Sequence, residues 1–196
     1  MATKKKPGAA AGDARTFVAL LRGINVGGNK KVPMAELREL AEGLGWQRVA
    51  TYIQSGNVVF CAKGSVSVLE ERLEQAIERH FGFAVPVIVV AGSQWAAFAA
   101  RSPFAAAETE RPNLLHLGVA KAAPRADAAK ALSPYCTNGE RVVIRGGAIW
   151  IDFPEGVGRS KVTPAVLDRT IGSTVTLRNW KTVQQIAAML RAAGGA

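Results

Sequence analysis

Residues 16–24 read Thr-Phe-Val-Ala-Leu-Leu-Arg-Gly-Ile, a β-capable run that is apolar at both odd and even positions. A strand exposed on one face alternates apolar with polar, so this one is expected in a sheet covered on both faces. Downstream, a Gly/Asn-rich loop reaches Pro33, expected as the first residue of a helix. In that helix Met34, Leu37, Leu40, Ala41 and Leu44 recur at helical spacing. RVATYIQ and NVVFC flank Ser55-Gly56 as a hairpin with a two-residue connection. Val66, Leu69, Leu73, Ala76, Ile77 and His80 form one helical stripe ending at Gly82, and VPVIVV is a short buried strand. The order is β-α-β-β-α-β, with an extra helix expected over 93–100.

The second half repeats this order. LLHLGVA is a strand and 125–132 a short helix. RVVIR and AIWIDF are a hairpin turned at Gly146-Gly147, 163–170 is a helix, TVTLR a strand and 180–193 a final helix. Pairing Thr16 with Asn113 gives an offset of 97 residues. The fold class is α+β, a tandem duplication of a ferredoxin-like βαββαβ unit with extra helices. The alternative is one larger α+β sheet. The expected division is a disordered basic tail over 1–15, a first unit over 16–112 and a second over 113–196.

At 196 residues and 20.7 kDa the chain is long enough for a core of its own, and 48% hydrophobic with 20% charged residues excludes wholesale disorder and collagen-like repeats. Lys4 to Lys6 precede no apolar stretch of signal-peptide length, and no run approaches the roughly 20 residues of a membrane span. Cys61 and Cys136 make no CxxC pair and no disulfide framework, so a cytoplasmic, reduced location is expected.

Charge sets the partner. Lys+Arg 25 against Asp+Glu 15 gives +10, which favours an anionic partner. Residues 1–15 carry +3, residues 16–112 carry +1 and residues 113–196 carry +6. The excess therefore gathers in the second half and the tail.

Three loops combine glycine or a hydroxyl with cations at a helix start. In the first, Arg22, Gly23, Asn25, Gly27, Gly28 and Lys30 could bring backbone N–H groups and positive charge to a phosphate. It is not a P-loop, because GxxxxGK[ST] would need Lys at 29 and Ser or Thr at 30, where Asn29 and Lys30 stand. In the second, Arg159, Ser160 and Lys161 precede Thr163-Pro164. In the third, Arg178 and Asn179 precede Trp180, a stacking face or a core anchor. Strands leading into the second and third loops run parallel in a βαββαβ unit, so both loops leave the same end of the sheet.

Catalytic patterns are sparse: HExxH, CxxC, GxSxG and the EF-hand loop are all missing, so neither a metal nor a cofactor is expected. His80 and His116 are the only histidines, and Asp152 and Glu155 border the second loop as candidate proton-transfer groups.

The motifs RGINVGG, TYIQSGNVVF, FGFAVPV, SPF, GRSK and RNWKT together resemble the bacterial family called domain of unknown function 1697, from about Phe17 to Leu190. In that family RNWxT more often has Asn at the position of Lys181. The resemblance implies an α+β fold with an internal duplication and carries no activity. The expected function is therefore binding of a phosphorylated small molecule or nucleotide-like anion through the glycine-basic loops, in a binding protein or an enzyme. The alternatives are backbone-directed nucleic-acid binding, with the tail and the +6 half as the contact surface, and an interaction or scaffold role.

Overall fold

The computed structural model describes residues 14–194, so of the tail expected over 1–15 all but the last two residues lie outside the described residues. Eight strands form two separate four-stranded antiparallel sheets, not one larger sheet. The first unit runs β1 (Arg15–Leu21), α1 (Met34–Gly43), β2 (Gln47–Tyr52), β3 (Asn57–Ala62), α2 (Val66–Phe81), β4 (Val87–Ala91), α3 (Gly92–Ala100). A short α4 (Ala105–Glu110) links it to the second: β5 (Leu115–Ala120), α5 (Ala128–Leu132), β6 (Arg141–Arg145), β7 (Ala148–Asp152), α6 (Pro164–Ile171), β8 (Val175–Asn179), α7 (Trp180–Gly194). The spatial orders β2-β3-β1-β4 and β6-β7-β5-β8 are the same arrangement twice, which is a duplicated ferredoxin-like unit.

Alternation within β1 shows why its sequence is apolar throughout. Phe17, Ala19 and Leu21 face the core under α1 and α2, with Leu37, Phe60, Leu73 and Ile77. Val18 and Leu20 face a second core that also takes Leu115, Leu117 and Trp150 from the other sheet. Between the sheets lie α3 and α7, contributing Trp95, Phe98, Ile186 and Leu190, and Trp95 Nε1 donates to Val183 O at 3.1 Å. A third core under α5 and α6 holds Ile149, Ile151, Phe153 and Leu167. Neither sheet keeps an open face for stacking bases, as RNA-recognition sheets do.

Several expectations need correction. Arg15 is not tail but the first residue of β1, paired with Ala62. Pro33 is the N-cap of α1, at φ −63 and ψ 134, and the helix starts at Met34. The β2–β3 connection spans four residues, 53–56, because Ile53 leaves the strand at φ 48. Val66 and His80 fall off the buried stripe of α2, and His80 Nε2 instead meets Glu36 Oε2 at 2.8 Å. α4 follows SPF unforeseen, with no side-chain cap to announce it. By contrast Gly146 and Gly147, at φ 64 and 77, form the two-residue turn expected between β6 and β7.

The Gly23 to Lys30 segment is not an open cradle. Val26 bridges Asn29 as a miniature hairpin, Asn29 N donates to Val26 O at 3.1 Å and Asn25 N to Lys30 O at 3.2 Å. Gly27 and Gly28, at φ 59 and 80, are its tip, which is the geometry of a type I′ turn. A Cβ at Gly27 would meet nothing within 4 Å. Gly27→Asn is therefore expected to leave unfolding free energy within about 0.5 kcal/mol of wild type, while Gly27→Val costs about 1–2 kcal/mol through left-handed strain. Urea unfolding of both variants measures this, and equal losses would refute the turn assignment.

Candidate functional site

Three of the sequence motifs meet at Arg178. This side chain comes from β8 and points toward the first sheet, where Nε donates to Asn57 Oδ1 and Nη2 to Leu21 O at 2.9 Å and Ser55 O at 3.1 Å. Its Nη1 donates to Thr176 Oγ1 at 2.8 Å and Leu177 O at 2.9 Å. All five acceptors are neutral, and burial pushes the guanidinium pKa down to about 10, so it remains charged at neutral pH. Asn57 is itself pinned, donating to Tyr52 O and Ser55 Oγ at 3.0 Å each. Asn25 joins from the other side, donating to Gln54 O at 2.8 Å and Val32 O at 3.1 Å while its Oδ1 accepts from Val32 N at 2.9 Å. A β-branched residue at positive φ is strained by about 1–3 kcal/mol. At Ile53 that conformation turns the loop whose carbonyls, at Gln54 and Ser55, serve Asn25 and Arg178.

RGIN, QSGN and RNW thus build the joint between the two units, and the fold already occupies their polar groups. Arg178 is enclosed, Asn179 Oδ1 caps α7 by accepting from Thr182 N at 2.9 Å, and Trp180 packs in the central core 5.9 Å from the Trp150 ring. Ser160 Oγ donates to Glu140 Oε1 and accepts from Val162 N at 3.0 Å. Burial pushes the Glu140 carboxyl up, but the bonds from Ser160 and Asn138 outweigh it and leave it below its ordinary value. Asp152 is buried between Arg111 and Arg141, whose Nη2 atoms lie 2.8 and 2.7 Å from Oδ2, an arrangement that leaves no free base. Glu155 is exposed.

Beside this joint lies a cleft of about 640 Å³ between the first hairpin and the second unit. The first unit contributes Arg22, Gly23, Val26, Asn29 and Lys30; the second contributes His116, Val157, Pro164, Leu167, Val175, Thr176 and Leu177. Docking of the halves therefore brings the first loop against the second, a convergence that residue order alone left open. Val26 is 68% and Val157 40% exposed, so apolar surface faces the opening from both sides. Arg22 Nη1 spans the cleft to Asp168 Oδ1 at 2.7 Å, and Lys30 Nζ donates to Ala84 O at 2.8 Å. Arg159 and Lys161 are exposed and follow Val157 in the chain, whereas Gly27 and Gly28 form the hairpin tip. His116 Nδ1 donates to Leu114 O at 3.1 Å, and burial pushes its pKa below the ordinary histidine value. The sequence signal for His116 was its place as the one polar group in LLHLGVA, but its facing wall comes from residues about 90 positions upstream.

The two units form a duplicated α+β architecture with a cleft between them, apolar surface facing its opening from both sides. The chain belongs to the DUF1697 family of proteins of unknown function, whose model matches residues 14–150. Among solved structures it is similar to the conserved bacterial protein SP0830 from Streptococcus pneumoniae, at 26% identity and a TM-score of 0.66, covering 90% of this chain and 99% of that one. No curated protein matches the chain. Among the described residues no helix is long and apolar enough to cross a membrane.

Proposed function

We propose that the protein binds a small molecule carrying a phosphate on an apolar or ring-shaped body, such as a nucleotide, in the cleft between the first hairpin and the second unit. The observation that carries this reading is the juxtaposition of Arg22 and Lys30 with the walls formed by Val26, Val157 and Leu177. Small-ligand sites commonly span about 300–1,000 Å³ and combine apolar walls with a few convergent polar groups. The cleft, at about 640 Å³, falls in that range. Arg159 and Lys161 add positive potential beside Val157, while Arg178 contributes to the joint and not to direct contact.

A thermal-shift panel of phosphomonoesters, nucleotides and sugar phosphates tests the proposal. A true ligand at 100 times its Kd stabilises by about 2.7 kcal/mol. Lys30→Ala is expected to weaken its binding about tenfold, close to 1.4 kcal/mol, while costing the unliganded protein no more than the bond to Ala84 O, about 1 kcal/mol. A panel in which nothing shifts wild type overturns the reading. Steeply salt-dependent binding to DNA that survives Lys30→Ala and disappears on deletion of residues 1–13 would instead assign the charge to nucleic acid.

A further inference from the structure

The duplicated units differ at the place where the cleft opens. α2 has 16 residues and α6 has 8, yet both stop on a left-handed glycine, Gly82 at φ 78 and Gly172 at φ 74. Aligned on those glycines, α6 matches the second half of α2, and the two turns that carry Glu70 have no counterpart. β4 and β8 are the corresponding edge strands, and antiparallel ladders turn the amides of alternate residues outward.

In the first unit Arg22 N donates to Pro86 O, which fixes the ladder phase so that Val87 and Val89 present their N–H groups to the free edge. Both are met by α2: Val87 N donates to Glu74 Oε1 at 2.7 Å and Val89 N to Glu70 Oε1 at 2.8 Å. In the second unit Lys121 N donates to Thr174 O, and the same phase turns Val175 and Leu177 outward. Asp168 Oδ1 accepts from Val175 N at 2.9 Å. Among the described residues nothing accepts from Leu177 N, and Leu177 lines the cleft with Arg22 and Lys30.

We infer that the Leu177 amide is the anchor for the ligand's oxyanion, which takes the place on β8 that the Glu70 carboxylate takes on β4. The inference rests on the cleft being the binding site proposed above. A backbone N–H needs an acceptor when it is taken out of water, and a charged acceptor makes the stronger bond. The strand fixes this donor in direction, Lys30 supplies charge together with Arg22, which Asp168 shares, and Val26 and Val157 receive the apolar body. The shared chemistry is an oxyanion on such a body, as phosphate or as carboxylate.

Amide NMR of the whole chain, titrated with phenyl phosphate, phenylacetate and benzyl alcohol, separates the cases. The Leu177 amide proton is expected to move downfield with an oxyanion, further than any other amide of β8, and to stay in place with the alcohol. Leu177→Pro removes this one donor at an edge position whose N–H is outside the ladder, where proline is tolerated. It is expected to weaken binding about tenfold or more, the size of a lost charge-assisted bond, with the circular dichroism of wild type. Should the proline variant not fold, the wild-type titration decides alone. A response to phenylacetate only supports the anchor and replaces phosphate by carboxylate as the ligand group. Shifts at Arg22 and Lys30 without one at Leu177 overturn the anchor and leave the cleft reading intact, whereas no shift at any cleft residue overturns both.

Discussion

Arg178→Ala is expected to lower the unfolding free energy by about 3 kcal/mol, because several buried acceptors lose their donor at once. Truncation leaves Asn57 Oδ1, Leu21 O, Ser55 O and Thr176 Oγ1 without their donor, and each unsatisfied buried acceptor costs about 1–3 kcal/mol before relaxation. Asn57→Ala breaks the same joint from the other unit. The double variant should therefore lose clearly less than the sum of the two single losses, because both remove one shared interaction. Urea unfolding of the four proteins completes the cycle. Additive losses, or a loss below about 1 kcal/mol for Arg178→Ala, would show that the joint does not hold the units together.

Asp152→Asn is expected to cost about 1–3 kcal/mol at neutral pH, since a buried neutral amide then replaces the carboxylate that accepts from the half-buried Arg111 and the exposed Arg141. Burial alone would push the Asp152 carboxyl up, but the hydrogen bonds and charges of the two arginines outweigh it and hold it below the ordinary aspartate value. A depressed carboxyl stabilises fully above its unfolded pKa, near 4, and the contribution fades as pH falls through the lower folded value. Wild type should lose this increment below about pH 4, and the asparagine variant should lack that part of the acid limb. Glu140 is also depressed and titrates in the same window, so the comparison is between slopes. Identical slopes from pH 5 to 2 would show that the arginine pair does not set the acid stability.

How legible these features were depended on how far apart their partners lie in the chain. α2 appeared over 66–81 because the buried stripe and Gly82 are local signals, and Ser65, whose Oγ accepts from Val68 N, is a third that the reading did not use. The Gly146-Gly147 turn was equally local. The Gly27-Gly28 turn was misread because its closing bonds join residues only a few positions apart, too short a ladder to leave an alternating pattern. Arg178 was read as a ligand-binding cation at a helix start, because the partners that enclose it, Asn57 and Leu21, lie 121 and 157 positions away. Arg22 and Lys30 could be singled out by type, while His116, Thr176 and Leu177 became their neighbours only through docking of the units.

Placement of α7 against β1 and β3 bears on the order in which the molecule can be completed. During synthesis β4 emerges by residue 91 and α3 by residue 100, but the inner face of the sheet, with Val18, Leu20, Val59, Ile88 and Val90, is covered by α3 only in part and completed by residues of 180–194. At about 5–20 residues per second that surface waits on the order of 5–20 seconds for its cover. For that interval the growing chain carries an apolar sheet face of the kind that chaperones recognise. Cutting the chain between the units would make the exposure permanent, so the duplicated halves, alike in plan, are not interchangeable parts that could be made apart and mixed.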